Sequence, residues 1–356
     1  NLNEKNNDKY EYILPRLSLV KNFGNFSDLS GNFLLESDTL IRQYNTNIQE
    51  KRNINNFIFD SGSKINKFGF LNSHEFLIRN TNSENRNSSY KNKKNFYLSG
   101  MYQYNSSLPL IKENNNYQKI FKPKLSFKAA PNHTKDDRKS ERKLNTTNIY
   151  SLDRATDDTS IEGGLSAAYG FDYSILDKFK TKEIFTLKLA NNFRLEENED
   201  LTNSHQIGKK SSNIFSEISY SPNDYFSTKY VSSVRNNIKD IDYENLISEI
   251  KVNNFVTTFD YLNENNTSDK NSYLSNTTSL SLDKFNNLSF STRKNKTKDL
   301  TEYYNFMYQY KNDCLAASIE YNKDFYSDRE LKPDESILFK LTIIPFAEVT
   351  GPNMKQ

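Results

Sequence analysis

The sequence predicts an all-β protein whose antiparallel strands form an outer-membrane, transmembrane barrel, with about sixteen strands in this chain. Apolar residues recur at every second position from one end of the chain to the other. Only 35% of the 356 residues are apolar and the mean hydropathy is −0.85, whereas ordinary globular domains are roughly 45–50% apolar with glycine included. Aromatic residues nevertheless make up 13% of the chain, and disordered chains are poor in aromatics.

The N-terminal part of the chain carries alternating runs of lower regularity. They span 10–20, 29–43, 54–60, 67–79, 96–104 and 119–128. Period-two alternation is typical of a strand with one apolar face, so each run is predicted to be a strand. No segment with a helical period of useful length competes with them.

Two regular runs follow in the middle of the chain. The stretches "GGLSAAYGFDYS" (163–174) and "IFTLKLANNFRL" (184–195) each place their apolar side chains on one face. These residues are Leu165, Ala167, Tyr169, Phe171 and Tyr173 in the first run, and Phe185, Leu187, Leu189, Phe193 and Leu195 in the second. Less regular runs at 212–220, 226–235, 244–261 and 272–283 extend the pattern.

The C-terminal part alternates with the fewest errors. Leu288 and Phe290 begin it, and the runs at 304–310, 315–321 and 337–343 continue it. The turns "SPND" (221–224), "DKFNN" (283–287) and "YKND" (310–313) are short and rich in Asp and Asn, which favour turns. Most runs are close to the ~10 residues of a membrane-spanning strand.

The residues between the apolar positions distinguish two architectures. In the C-terminal runs they are strongly polar: Asn305, Gln309, Ser318, Glu320, Lys340 and Thr342. A soluble sandwich buries its apolar faces between sheets, whereas a transmembrane barrel turns its apolar face to lipid and can keep a polar lumen. One strand fits both, but the number of strands, the low hydropathy and the tyrosine-rich strand ends favour the barrel.

Charge and motifs exclude several function classes. The net charge is +3, from 48 basic and 45 acidic residues mixed along the chain, so we expect no nucleic-acid partner. His74, His133 and His205 lie apart from any ligand at metal spacing and are interpreted as solvated or lumen-facing. The mixed-charge stretch "DDRKSERK" (136–143) is interpreted as a solvated loop. Because no catalytic motif is present, the sequence predicts no enzyme, no metal and no cofactor.

Two regions resemble the lipopolysaccharide-assembly protein family LptD. The stretch "FKPKLSFKAAPNHTKDD" (121–137), followed by "NIYSLDRATDDTSIEGGLSAAYG" (148–170), is similar to a paired signature of that family. In that signature, a strand ending near a proline leads into a long loop and then into a glycine-containing strand. Pro131, Asp153, Arg154, Gly163 and Gly164 occupy the signature positions. The stretches "YKNDCLAASIEYNKDF" and "ILFKLTIIPF" resemble the last strands of the family.

The resemblance implies a function and a location. Residues 1–349 would be the C-terminal part of a bacterial outer-membrane β-barrel, with a long loop at about 132–158 and a tail at 350–356. The jelly-roll domain and the first barrel strands of the family would be absent, leaving the barrel incomplete. The implied activity is insertion of lipopolysaccharide into the outer leaflet through a lateral gate. The implied partners are lipopolysaccharide, an LptE-like plug lipoprotein and, through the absent domain, a periplasmic lipopolysaccharide bridge.

Cys314, the only cysteine of the chain, has two interpretations that stay open. A lone cysteine is commonly a small buried apolar side chain. Cys314 also stands at a turn-to-strand junction, and a periplasmic compartment permits disulfides. The resemblance implies either an inter-domain disulfide between Cys314 and the N-terminal part of the complete protein, or no disulfide partner.

The strand at about 336–345 is predicted to be the last of the barrel and one side of the lateral gate. Its apolar face consists of Ile337, Phe339, Leu341 and Ile343. Pro345 lacks an N–H, so the hydrogen-bond ladder must weaken at that end. As the final strand of a barrel it must pair with a first strand, because unpaired backbone groups are not tolerated in lipid.

Two alternative functions share the alternation. A general diffusion porin would end on an aromatic residue, whereas this chain ends in "GPNMKQ". A soluble surface adhesin built from sandwich modules should repeat at domain length, and we find no such repeat.

Overall fold

The computed structural model describes residues 11–26, 29–44, 49–86, 94–131, 137–138, 142–154, 160–265, 270–325, 333–343, 347–350 and 354–355, which form 21 strands and two short 3-10 helices. The strands are β1 (Glu11–Phe26), β2 (Leu29–Tyr44), β3 (Gln49–Asp60), β4 (Lys64–Ile65), β5 (Leu71–Arg86), β6 (Asn95–Ser107), β7 (Leu110–Glu113), β8 (Tyr117–Ala130), β9 (Gly164–Asp177), β10 (Lys182–Arg194), β11 (Ile214–Tyr220), β12 (Phe226–Val234), β13 (Ile241–Val252), β14 (Phe255–Asn265), β15 (Lys270–Ser281), β16 (Asn286–Asn295), β17 (Leu300–Lys311), β18 (Leu315–Asp324), β19 (Asp334–Ile343), β20 (Ala347–Thr350) and β21 (Met354–Lys355). The 3-10 helices are Asn148–Tyr150 and Ser204–Gln206.

The prediction of an all-β, antiparallel fold is confirmed, since the strand pairs of the described residues are antiparallel. The strand number exceeds the predicted one largely because β4, β7, β20 and β21 have only two to four residues, too few to show alternation. No helix in the described ranges is long and apolar enough to cross a membrane. Closure of the strands into a barrel stays a prediction.

The chain divides into two compact units. Unit 1 contains Asn1–Ile111, Phe121–Asp172 and Leu189–Ile214, and unit 2 contains Lys112–Ile120, Tyr173–Lys188 and Phe215–Gln356. In unit 1, β1, β2, β3, β5, β6 and β8 pair in succession as a meander, and the two-residue β4 adds to β5.

The two faces of the unit 1 meander differ sharply. On one face Phe59 lies opposite Phe76, and Phe76 lies opposite Tyr102, with ring centroids 6.2 Å and 4.7 Å apart respectively. Phe76, Ile78, Leu98 and Phe127 of this open face are 40% to 59% exposed. The opposite face carries Leu77, Arg79, Met101, Gln103 and Lys128, which are buried. We call it the covered face.

Unit 2 repeats the meander from β12 to β19, each strand pairing with the next. The register places Tyr308 opposite Ile319, and Ile319 opposite Phe339. Residues directly opposite each other in an antiparallel pair lie on the same face. The predicted alternation of 304–310, 315–321 and 337–343 therefore produces one continuous apolar face, which we call the open face of unit 2.

The strand predicted to be the last is followed by two more. Asp334–Ile343 pairs with β18 along one edge. At its other edge, Lys340–Ile343 pair with Ala347–Thr350 of β20, and Ser336 and Ile337 pair with β21. β21 falls within the stretch predicted as a tail. Period-two reasoning could not find these strands because neither has more than two full periods of alternation.

Candidate functional site

The candidate site lies in unit 1, where residues of 142–154 and 160–163 pack on the covered face. We call these residues the covering segment. Asn145 Oδ1 accepts the backbone N–H groups of Thr147 and Asn148 at 2.8 and 2.9 Å, which sets up the 3-10 helix. Ile149 and Ile161 are completely buried, and Ile161 packs with Leu77 and Met101. Apolar contacts therefore anchor the segment to β5 and β6.

Arg154 is the centre of the polar contacts. Its side chain is fully buried, and its guanidinium meets Glu162 with Nε donating to Oε2 at 2.9 Å and Nη2 to Oε1 at 2.8 Å. Nη1 donates to the carbonyl oxygen of Ile149 at 2.9 Å, and Nη2 also donates to Ser166 Oγ and Asn192 Oδ1 at 3.0 and 2.7 Å. One side chain thus joins both ends of the covering segment to β9 and β10.

Arg194 approaches the same carboxylate from β10. Its Nη1 donates to Glu162 Oε1 and its Nη2 to the carbonyl oxygen of Gly163. Gly164, the first residue of β9, has φ +89°, and a Cβ there would lie 3.0 Å from Arg194 Nη2. A side chain at position 164 would therefore be strained and would crowd the guanidinium.

Two further cations bind the segment from the covered face. Lys128 Nζ donates to the carbonyl oxygens of Ser151 and Leu152 at 2.5 and 2.7 Å and lies 3.9 Å from Glu162 Oε2. Arg79 Nη1 donates to the carbonyl oxygen of Ser160 at 2.6 Å, and its Nη2 binds Asp153 Oδ2 at 2.7 Å. We name Arg79, Lys128, Asp153, Arg154, Glu162 and Arg194 the ionic cluster.

The ionic cluster is electrostatically unusual because its cations outnumber its carboxylates and most of it is buried. Burial by itself would raise the pKa of Glu162, but the adjacent Arg154, Lys128 and Arg194 hold it well below its usual range. Burial, together with Asp172, raises the pKa of Tyr150 in the covering segment. Glu162 therefore stays ionised and acts as the counter-ion that lets the buried guanidinium groups coexist.

The contacts of the ionic cluster hold the covering segment in place. The hydroxyl of Ser166 donates to Glu162 Oε1 at 3.3 Å, and Arg154 and Arg194 bind the same carboxylate oxygen. Among the described residues, no group of His, Cys, Asp and Glu could hold a metal ion. The physical role of the cluster is to fasten the covering segment across strands that are far apart in sequence.

Four of the five signature residues are brought together here. Asp153, Arg154, Gly163 and Gly164 all belong to or adjoin the cluster, whereas Pro131 is exposed directly after β8. Sequence reasoning missed Glu162, Lys128, Arg79 and Arg194. Glu162 lay within the quoted stretch 148–170 and could have been paired with Arg154. Arg79, Lys128 and Arg194 could not be identified from the sequence. A lysine or arginine on the polar face of a strand gives the same alternation whether that face is solvated or covered.

Other predicted residues lie elsewhere. His205 is buried, so the solvated alternative is wrong for this residue and the lumen-facing one stays a prediction. The residue lies in a 3-10 helix with φ +54°, and its carbonyl oxygen accepts the N–H of Asn213 at 2.9 Å. In the stretch 136–143, interpreted as a solvated loop, Asp137 is also buried. Its backbone N–H donates to the carbonyl oxygen of Asp200 at 2.7 Å, so part of that stretch is packed. His133 lies outside the described residues.

Cys314 is exposed and free in the turn between β17 and β18, with its backbone N–H bound to Asn312 Oδ1 at 2.9 Å. The interpretation of Cys314 as a small buried side chain is therefore wrong, and the disulfide implied by the resemblance stays a prediction. Of the predicted gate residues, Ile337, Phe339, Leu341 and Ile343 lie exposed on the open face of β19, and Pro345 lies outside the described residues. Phe339 and Leu341 line an apolar groove of about 400 Å³ with side chains of β17 and β18.

No family model matches this sequence, and no curated protein matches it. One solved structure that it resembles is described as "Asymmetric conductivity of engineered proteins", with 8% sequence identity and a TM-score of 0.29 over 89% of this chain and 95% of the other. A likeness at that level carries no argument about fold or function.

Proposed function

We propose that this chain is part of a bacterial outer-membrane β-barrel of the LptD type, which delivers lipopolysaccharide to the outer leaflet. The observation that carries the proposal is the inverted polarity of unit 1. The face that carries Arg79, Gln103 and Lys128 is covered, whereas the face that carries Phe76, Leu98 and Phe127 is open. A protein surrounded by water would gain roughly 1.5–3 kcal/mol by burying each such side chain, so an open apolar face of this extent fits a surface in contact with lipid.

The open face of unit 2 supports the same proposal. Its apolar residues fill four successive alternate positions on β18, namely Leu315, Ala317, Ile319 and Tyr321, and four on β19. At a rise of about 3.4 Å per residue these positions span about 20 Å along the strand, which at a tilt of about 35–45° is about 15 Å of height, well over half of the apolar band of about 25 Å on outer-membrane barrels. Polar residues such as Ser318, Glu320 and Lys340 occupy the opposite face and would border an aqueous interior.

The covering segment would act within the interior of such a barrel. Held by the ionic cluster, it would occlude part of the lumen and leave a polar path for the sugar headgroup. Acyl chains would leave between strands into lipid, and the apolar groove beside Phe339 and Leu341 has the chemistry to accept one chain. An LptE-like lipoprotein and a periplasmic bridge would be the partners, as the resemblance implies.

Membrane fractionation tests the proposed location, and a delivery assay tests the proposed transport of lipopolysaccharide. The complete protein should remain in outer membranes after salt extraction and should migrate differently on gels before and after boiling, because closed barrels have no edges to fray. Depletion should reduce lipopolysaccharide on the cell surface. Release by salt alone would contradict the membrane location. Membrane retention with normal surface lipopolysaccharide and lost solute permeability would instead indicate a diffusion porin.

A further inference from the structure

The open face of unit 1 changes character along β2, β3 and β5. Beyond the phenylalanines these strands present small polar side chains, which we name the asparagine ladder: Ser37, Thr39, Asn53, Asn55, Asn80 and Asn82. Asn53 Nδ2 donates to Thr39 Oγ1 at 2.8 Å, and Asn82 Nδ2 donates to Asn53 Oδ1 at 3.1 Å. The amides are thus partly satisfied by one another, which allows a polar surface to continue where an apolar one would be expected.

The neighbouring strand β6 remains apolar at the same level. Leu98 lies opposite Asn80, and Phe96 lies opposite Asn82. Both are strongly exposed, Leu98 at 59% and Phe96 at 74%. Polar and apolar surfaces therefore meet side by side at this point. A ligand that covers both must itself be amphipathic.

A groove of about 540 Å³ lies at this junction, a volume in the range of small-molecule sites. Lys51, Glu84, Lys94 and Phe96 line it together with Asn53 and Asn82. None of the ion pairs formed by the described residues includes Lys51 or Lys94. Lys51 and Lys94 contribute two positive charges and Glu84 one negative charge. The net positive charge of these three side chains favours an anionic ligand.

We propose that this groove binds the phosphate-bearing headgroup of an anionic membrane lipid. The ammonium groups of Lys51 and Lys94 bind the phosphate, and the amides of the asparagine ladder bind the polar part of the headgroup. One acyl chain lies along Phe96 and Leu98. The inference rests on the membrane location proposed above and adds a lipid site to it.

The absence of tryptophan from the chain allows a direct test. Phe96→Trp places a single fluorophore at the groove, and Phe306→Trp is the matched control on the open face of unit 2, where Phe306 is 45% exposed. Each variant is placed in nanodiscs of phosphatidylcholine with a minor fraction of phosphatidylglycerol. Bromine, which quenches tryptophan fluorescence, is carried by the acyl chains of one lipid or the other.

We expect brominated phosphatidylglycerol to quench the fluorophore at position 96 more strongly than the one at position 306. Each lysine should enrich the anionic lipid about fivefold, since a basic residue near an anionic lipid surface contributes about 1 kcal/mol. Lys51→Gln and Lys94→Gln together should abolish the preference, whereas Lys21→Gln and Lys67→Gln, which remove two exposed lysines elsewhere in unit 1, should retain it.

Equal preference at both positions, or a preference that survives removal of Lys51 and Lys94, would overturn the proposal. If neither lipid quenches either fluorophore, the membrane location fails as well.

Discussion

Arg154 and Glu162 form a bidentate ion pair in which Nε and Nη2 of the guanidinium donate to the two carboxylate oxygens at 2.9 and 2.8 Å, with both side chains at most 2% exposed. Arg194 donates to the same carboxylate. A buried charge is costly unless it is paired. The one carboxylate therefore compensates two guanidinium groups at the point where the covering segment meets β10.

Removing that carboxylate should destabilise unit 1. Glu162→Gln keeps the shape of the side chain but leaves Arg154 and Arg194 without their shared counter-ion, and we expect the free energy of unfolding to fall by about 3–5 kcal/mol. Urea unfolding in detergent measures the change. Glu197→Gln, which disrupts an exposed pair with Lys209, is the matched control and should cause no measurable change. Equal stability of both variants would mean that the ionic cluster does not hold the segment.

The contribution of Glu162 should depend on pH in a defined direction. Its neighbouring cations depress its pKa in the folded state, so its stabilisation is present above its unfolded-state pKa of roughly 4.3 and is lost as the pH falls through the lower, folded-state value. The stability difference between the native protein and Glu162→Gln should therefore be constant near neutral pH and shrink in acid. A series of urea titrations at different pH checks this. A difference that grows in acid would contradict the assignment.

Substitution of Gly164 by alanine should lower the stability of the protein more than the same substitution at Gly62, another glycine with positive φ. Gly164→Ala introduces a Cβ at φ +89° and 3.0 Å from Arg194 Nη2. Gly62→Ala also places a Cβ at positive φ, +63°, but with no atom within 4 Å, so it measures backbone strain alone, about 1–3 kcal/mol. We expect Gly164→Ala to lower the unfolding midpoint further. If Gly164→Ala and Gly62→Ala had equal unfolding midpoints, the Arg194 side chain would be able to move away from the new Cβ at no cost in stability.

If β19 is a gate strand, the edge that it shares with β20 must open during delivery. Thr342 and Glu348 are directly opposed across that edge, and opposed residues of antiparallel strands are close enough for a disulfide. In a Cys314→Ser background, Thr342→Cys with Glu348→Cys should form a disulfide that stops lipopolysaccharide delivery until it is reduced. Gln309→Cys with Ser318→Cys locks β17 to β18 and should leave delivery normal. Normal delivery with the β19 edge locked would place the gate elsewhere.

The sequence predicted strands best where one face of the strand is apolar and the other is polar. In β18 and β19, apolar and polar residues alternate, and the register pairs Ile319 with Phe339 as the alternation requires. The second half of β5, Asn80 to Arg86, lay outside the predicted run although it is a strand. Both of its faces are polar there because the asparagine ladder replaces the apolar positions. Alternation carries no information where the two faces have the same polarity.

The sequence by itself determined which residues share a face, because the side-chain period of a strand is a local property of the backbone. Arg154, Gly163 and Gly164 were singled out by the family resemblance and not by the alternation. Only the tertiary structure decided which face is covered, since that depends on where the covering segment lies. Arg154 binds Asn192, which is 38 residues away in the chain, and Lys128 reaches the segment from β8. Contacts between distant residues follow from the fold of the whole unit, and a period read along one strand cannot contain them.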